Sequence, residues 1–335
     1  MPRTERKYEA RPAVRENTPL LVGLFSPPGA GKTYSALRLA TGMAQVFPGD
    51  IVVIDTEAGR ALHYADKFKF KHIPFGPPFG SLDYLDVIRY ASSLNPAVIV
   101  VDSMSHEHIG EGGYLQGHEQ WVDKMAGPDA DWRRRDACSM AAWARVAPLR
   151  TQMIQGITQI RGRFIFTFRA KEKTKPTKGA DGKIAIVELG FMPQAGEELG
   201  YEMTASCLLR PRADGVATWL TEFPGERLMF KLPEQFKGVL DTGKALSEET
   251  GKILADWARG GTASVQQQAA SRPDDAPEAW DGWSDEERGV NRAGKGMKAL
   301  EAWWNSVPKG PQKQALAAKL TEWKLTAQTA DATKA

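Results

Sequence analysis

Through the first two thirds of the chain, short apolar runs alternate with stretches whose apolar positions recur at helical spacing. Residues 20–25 form one such run and end in turn-forming residues, after which Tyr34, Leu37, Leu39, Ala40 and Met43 mark a helix. Residues 51–55 read as a buried strand, 82–94 as a helix and 97–102 as a second buried strand. An irregular polar region follows, then a long helix over about 140–160 and a strand over 164–168. Strands separated by helices predict a parallel sheet with crossover helices. Farther on, residues 183–188, 203–210, 216–220 and 228–232 are β-like at short spacing. They predict antiparallel strands that extend the sheet, and 246–259 reads as a closing helix. The fold class is α/β, with a core over residues 19–259.

Past that core the pattern fails. Residues 260–285 are rich in Gln, Ala, Ser, Pro and Asp without a hydrophobic period, and read as a disordered linker. Met297, Leu300 and Trp304, then Leu316, Leu320 and Trp323, return to helical spacing on either side of Pro308-Lys309-Gly310-Pro311. They predict a small helical hairpin over 286–328, followed by a tail at 329–335. The tryptophans read as packing on one another in preference to a peptide or DNA contact. Residues 1–18 are polar and basic and read as a flexible N-terminus, neither a signal peptide nor a membrane span.

Composition narrows the function classes. A chain of 335 residues with 42% hydrophobic residues can bury one substantial core and carry a small second module. The formal charge of +3 is nearly balanced, so a nucleic-acid surface has to come from local clustering. Cys138 and Cys207 form neither a metal spacing nor a disulfide framework, which suits a reducing cytoplasm. No apolar run is long enough to span a bilayer.

The most informative chemistry lies between the first strand and the first helix, at Ser26-Pro27-Pro28-Gly29-Ala30-Gly31-Lys32-Thr33, followed by Tyr34. A glycine-bearing turn that feeds a helix N-terminus aims backbone N–H groups and the positive end of the helix dipole at one point, which suits a polyphosphate. Lys32 is expected to reach the β and γ phosphates of ATP and the Thr33 hydroxyl to ligate Mg²⁺. Ser26 stands where the first glycine of the pattern belongs, a position Ser can hold with a negative φ.

Two acids end two of the predicted strands. Asp102, delivered by the apolar run 97–102, is expected to hold Mg²⁺ opposite Thr33. Beyond the run 51–54 come Asp55-Thr56-Glu57. Glu57 is the general-base candidate for the water that attacks the γ-phosphate, and Asp55 is the alternative, as cap or as base.

These residues carry a resemblance. Asp55-Thr56-Glu57, Tyr64-Ala65 seven residues after the Glu, and Val98-Ile99-Val100-Val101-Asp102-Ser103 look like the ATPase core of RecA-type recombinases. The stretches Phe164-Ile165-Phe166-Thr167-Phe168-Arg169-Ala170-Lys171, Gly190-Phe191-Met192-Pro193 and Glu198-Leu199-Gly200-Tyr201-Glu202 resemble phage-encoded, reduced RecA-like ATPases that act in single-strand annealing or recombination. The resemblance spans about residues 19–220. It implies a RecA-like P-loop NTPase core, Glu57 as water activator, Tyr64 as an adenine contact and Arg169 as a cation reaching the γ-phosphate of a neighbouring subunit. Arg210 and Arg212 compete for that last role. Where RecA proteins carry a Gln that couples γ-phosphate to the DNA loop, this chain has Thr167, and the likeness stops there.

Two regions offer themselves to nucleic acid. Residues 169–183 hold Lys171, Lys173, Lys175, Lys178 and Lys183, opposed only by Glu172 and Asp181, with Gly179 and Gly182 among them; such spacing neutralises phosphates without reading bases. Residues 105–136 combine Tyr114, Trp121 and Trp132 with Arg133, Arg134 and Arg135, the ingredients of a stacking platform and equally of a packed lid. His106, His108 and His118 in the same region lack the companions of a zinc site, and His106 stands near enough to Asp102 to sense a γ-phosphate.

The leading expectation is an ATP-hydrolysing recombination protein, cytoplasmic (in a bacterial host's cytoplasm if phage-encoded). It binds single-stranded DNA, promotes annealing or pairing, and assembles as a homo-oligomer, ring or filament, with no membrane partner. The C-terminal module is a candidate contact for a single-strand DNA-binding protein. The alternatives are a ring-type helicase or translocase motor, and a P-loop phosphotransferase or regulatory ATPase that needs no DNA.

Overall fold

A computed structural model describes residues 10, 12–178, 184–260, 284–307 and 311–334. The chain divides into two compact units, Met1–Gly261 and Thr262–Ala335. The glycines and lysine at 179–183 and most of the expected linker, 261–283, lie outside the described residues.

In the first unit, strands β1 (Leu20–Ser26), β2 (Ile51–Asp55) and β4 (Val98–Asp102) are buried at every position. Helices cover both faces, which is why these strands read as continuous apolar runs rather than as alternation. With β3 (Lys71–Pro74), β5 (Arg163–Lys178), β6 (Ile184–Pro193), β7 (Ala205–Leu209) and β8 (Ala217–Thr218) they form an eight-stranded sheet in the order β3-β2-β4-β5-β1-β7-β8, with β6 paired to β5. All pairings from β3 to β7 are parallel, whereas β7–β8 and β5–β6 are antiparallel.

Alternate residues feed two cores. Leu20, Val22, Leu24, Val53 and Ile165 pack with helix α1 (Lys32–Ala44) and with the closing helix of this unit, Glu248–Arg259. On the opposite face Leu21, Phe25, Ile54, Phe164, Phe166 and Phe168 pack with α2 (Ser81–Ser93) and the long helix Trp132–Gln159. The closing helix meets α1 backbone to backbone: a Cβ on Gly42 would lie 1.8 Å from the Glu248 carbonyl oxygen, and one on Gly251 2.0 Å from that of Leu39. Glycine at both points is what lets the helices approach so closely. The same helix end receives the start of the core, with Thr18 N donating to Ala258 O at 2.8 Å.

The polar region after β4 is helical, not irregular. It contains α3 (Ser105–Ile109), α4 (Tyr114–Ala126) and the first turns of α5 (Trp132–Gln159), whose N-terminus is capped by Asp131 accepting from Arg134 N at 2.9 Å. Helix α5 thus begins well before the expected residue 140, because its early turns bury no apolar stripe. The run 228–232 is not a strand either. It follows the turn Pro224-Gly225 as a 3-10 turn, Glu226–Met229, and only Lys231 makes a bridge, to Ser206. After β6 come the short helix α6 (Glu197–Glu202) and, before residue 260, α7 (Glu248–Arg259).

Among its described residues the second unit holds four helices where two were expected: α8 (Asp285–Gly294), α9 (Met297–Ser306), α10 (Pro311–Ala317) and α11 (Leu320–Lys334). Helix α8 opens with a capping box between Ser284 and Glu287, and α11 continues through residues read as a tail. Ala293, Leu300, Val307, Leu316, Trp323 and Ala327 form its core, and Trp303 meets Trp323 edge-on with ring centroids 5.7 Å apart. Among the described residues, no helix is long and apolar enough to cross a membrane.

Candidate nucleotide site at the sheet edge

Parallel pairing brings the C-terminal ends of β2, β4, β5 and β1 to one edge, with Asp55 opposite Asp102 and Ser26 opposite Arg169. The turn between β1 and α1 carries Ser26, Pro27, Pro28, Gly29, Ala30 and Gly31 around that edge. Gly29 and Gly31 take φ of 77° and 83°, which favours glycine, and Ser26 stays out of the left-handed region. Nothing lies within 4 Å of where a Cβ on either glycine would be, so the turn faces open space.

Asp102 is 1% exposed and accepts two hydroxyls, from Thr33 Oγ1 at 2.5 Å on Oδ2 and from Thr167 Oγ1 at 2.5 Å on Oδ1. Thr167 is therefore spent on Asp102. The donor set fits Mg²⁺–ATP on this chain's own terms: hydroxyl and carboxylate oxygens suit a hard cation. The buried Ser26 Oγ, in the loop itself, has no hydrogen-bond partner among the described residues. Thr33 and Asp102 would hold the ion and Lys32 the phosphates.

Asp55 does not share that edge as a free acid. Its Oδ1 accepts Glu57 N at 2.7 Å, and its Oδ2 accepts Ala61 N at 3.0 Å and meets His72 Nε2 at 3.1 Å. Both oxygens are committed to shaping the turn that presents Glu57.

Glu57 itself, with a side chain 3% exposed, faces four groups. Lys32 Nζ lies 4.0 Å away, Arg60 Nη1 3.5 Å and Ser103 Oγ 3.4 Å. Arg169 forks onto the carboxylate, Nε donating to Oε1 at 2.9 Å and Nη2 to Oε2. Burial pushes the Glu57 carboxyl up, but the Arg169 hydrogen bond and the charges of Lys32, Arg169 and His106 outweigh it and hold the group below the usual carboxylate range. Arg169 is thus bound within its own chain, and Arg210 is likewise tied to the buried Glu226.

His106 sits behind this cluster. Its Nδ1 meets Thr56 Oγ1 at 2.7 Å, its ring stacks on Phe79, and burial together with the Arg169 charge lowers its pKa. Thr56 Oγ1 also accepts Ser103 N at 2.8 Å, so the turns after β2 and β4 are stitched together. His108 bonds Arg150, and His118 stacks on Trp143.

A cleft of about 540 Å³ adjoins the phosphate loop, lined among others by Tyr34, Arg38, Arg212, Asp214, Gly215 and Leu246. Tyr64 does not line it; its ring meets that of Tyr34 with centroids 5.8 Å apart. Sequence reasoning missed Arg38, Asp214 and Gly215. The Asp-Gly turn was the available signal, with Asp214 and Gly215 at φ of 47° and 82°, but nothing local says that it lies beside the phosphate loop.

The remaining cations fall in two places. Beyond Arg169 strand β5 leaves the parallel sheet and pairs with β6 as a two-stranded arm on which Lys171, Lys173 and Lys175 are exposed; Lys178 pairs with Ile184 at the end of the described part. At the start of α5, Arg133 lies over the exposed Trp132 ring at 5.3 Å, Arg134 is exposed, and Arg135 pairs with Glu119 and Asp123.

No curated protein matches the chain. The family model of the AAA domain (AAA_24), by contrast, matches residues 18–209, from two residues before β1 through β7. That match covers more than half of the chain, including the phosphate loop, Glu57, Asp102 and Arg169, and the chain belongs to this AAA domain family of P-loop proteins.

Proposed function

We propose that the chain hydrolyses Mg²⁺-bound ATP at the Lys32–Thr33–Glu57–Asp102 centre. It uses that reaction as a RecA-like recombination protein of the phage annealing type, acting on single-stranded DNA as an oligomer. Water attacks the γ-phosphorus, the bond to the β–γ bridging oxygen breaks with its electron pair left on ADP, and Glu57 takes the proton of the water. Lys32 neutralises the phosphates, and the backbone N–H groups at the start of α1 add to this.

One observation carries the reading: the strand that supplies Thr167 and Arg169 to the nucleotide edge runs on, without a break, into an arm bearing Lys171, Lys173 and Lys175. Nucleotide chemistry and a phosphate-neutralising surface share one strand. Arg133 and Arg134 beside Trp132 offer a second contact, and the C-terminal unit a place for a single-strand DNA-binding protein.

The test is ATP hydrolysis with and without oligo(dT), in the parent, Glu57→Gln and Lys32→Ala. DNA-stimulated turnover in the parent that falls by at least about a hundredfold in Glu57→Gln, with ATP binding retained, is expected. Replacing Lys171, Lys173 and Lys175 with alanine should lower the slope of log affinity against log salt by about 2. Hydrolysis indifferent to DNA would favour a phosphotransferase or regulatory ATPase, and directional unwinding would favour a motor.

A further inference from the structure

We propose that the arm formed by β5 and β6 seats its apolar face in a pocket of a second copy of this chain, each copy carrying both halves of a self-association contact. The inference deepens the oligomeric part of the reading above, and its test needs neither nucleotide nor DNA.

The arm has two unlike faces. Directly opposed residues of an antiparallel pair share a face, and neighbours along a strand alternate. Pro176 stands opposite Ile186, Thr174 opposite Glu188 and Glu172 opposite Phe191. Ala170, at the root of this row, belongs to the core that holds Phe164, Phe166 and Phe168. Ile184, two residues from Ile186, lies on the same face, and the other face takes Lys171, Lys173 and Lys175. Ile184 and Ile186 are 76% and 73% exposed, and a two-stranded ribbon has no second layer of its own to cover them. The lysines and Pro176 blunt the edge of β5 against strand addition, which leaves the face of the arm as its docking element.

The same chain offers a matching hollow. A pocket of about 240 Å³ opens beside the root of the arm, lined by the buried Phe25 and Phe168, by Phe230, and by the exposed Tyr201 and Leu228. It is smaller than the roughly 300–1,000 Å³ of small-molecule sites and suits apolar side chains. Arg227 and Lys231 outnumber Glu197 on its lining, whereas the apolar face of the arm carries Glu172 and Glu188 beside the isoleucines. The two surfaces therefore match in charge as well as in polarity.

Reach decides whose arm fills the pocket. From Ala170 to Pro176, the residue opposite Ile186, an extended strand covers about 20 Å at about 3.3 Å per residue. Phe168 and Pro193, which line the pocket, stand at the other end of that span. An arm so extended holds its isoleucines away from its own pocket, and another copy has to deliver them. Because every copy carries both surfaces, the contact can be returned in a dimer or repeated head to tail. Either way Lys171, Lys173 and Lys175 stay on the uncovered face.

The experiment is sedimentation equilibrium of full chains across a range of concentrations, without nucleotide or DNA. The parent is expected to self-associate. Ile184→Ser/Ile186→Ser changes exposed side chains alone, so the fold is spared, and the dissociation constant should rise at least about fiftyfold. Arg227→Glu should raise it about tenfold, and added salt should weaken the parent's association. Leu228→Asp spoils the pocket and keeps the arm; mixed with the isoleucine variant, which keeps the pocket, it should form a one-to-one pair although each alone is a monomer. Self-association of the isoleucine variant equal to the parent's, or a mixture that does not pair, overturns the contact and leaves the ATPase standing. So does an isoleucine variant that associates as the parent does but no longer binds oligo(dT), which would assign the face to DNA bases. A parent that is monomeric throughout also overturns the contact, and if ATP and oligo(dT) do not assemble it either, the oligomeric reading falls with it.

Discussion

Replacing Arg150 by methionine is expected to cost the fold about 3–5 kcal/mol at pH 7, because it strands a buried carboxylate. Arg150 and Glu107 are each 5% exposed in their side chains. Arg150 Nε donates to Glu107 Oε1 at 3.1 Å and Nη2 to Oε2 at 2.7 Å, while Ser81 Oγ donates to Oε1 at 2.6 Å. The guanidinium also lies 3.4 Å from the Tyr114 ring centre, joining α3, α4 and α5 just behind the Asp102 strand. Methionine fills much of the space but brings no charge. A buried carboxylate left without its cation keeps its desolvation penalty uncompensated, and that is the source of the loss. Urea unfolding followed by circular dichroism at pH 7 measures this. The double variant Arg150→Met/Glu107→Leu should recover most of the loss, since an apolar pair of similar volume replaces a buried ion pair at little cost. A deficit under about 1 kcal/mol at pH 7 would refute the reasoning.

Two further outcomes are expected. Burial and the Arg150 charge bring the His108 imidazole down to about 4, from an ordinary value of 6.5. Between those values the unfolded chain binds a proton that the fold refuses, so this stability is whole above pH 6.5 and drains away towards pH 4, by at most about 3 kcal/mol. Unfolding curves for the parent and His108→Phe over that window should converge or cross, and parallel pH dependences would count against it. In the second unit, a Cβ on Gly289 would lie 2.5 Å from the buried Trp323 ring. Gly289→Ala should therefore destabilise that unit by about 1 kcal/mol after the gain in helix propensity, read as a lower tryptophan-fluorescence melting temperature. A higher one would mean that Trp323 yields.

What the sequence revealed and what it hid divide along a physical line. The strand, turn and helix around Lys32 are governed by local backbone chemistry: apolar continuity in β1, glycines at positive φ, and a helix N-terminus. Runs such as 98–101 are equally plain because burial on both faces leaves no polar position. The start of α5 was hidden, since Trp132 to Met140 carry three arginines and no core stripe, and Asp131 as N-cap was the lone signal. Helix α8 was hidden likewise; Val290 and Ala293 are nearly all it offers to a hydrophobic period, although Ser284 and Glu287 spell a capping box. The pairing of Glu57 with Arg169, 112 residues apart in sequence, has no local signature at all. Neither has the approach of Arg212, Asp214 and Gly215 to the phosphate loop.

The glycine contact between α1 and α7 bears on how the protein can be divided. The family match ends at residue 209, yet the helix that carries Lys32 and Thr33 rests on residues 248–259 through two glycines and the Arg38–Glu248 pair, whose Nη2–Oε2 distance is 2.6 Å. A fragment cut at Leu209 would lose the helix that lies against Leu39 and Gly42, and with it Leu254, Ala255 and Ala258 from the core that α1 shares behind the phosphate loop. The piece that keeps α1 packed as in the intact unit therefore runs from about residue 16 to Gly260, where Glu16 and Gly260 close the unit with a bridge. Family membership marks where the shared chemistry lies; the boundary of the working machine is drawn by a helix outside it.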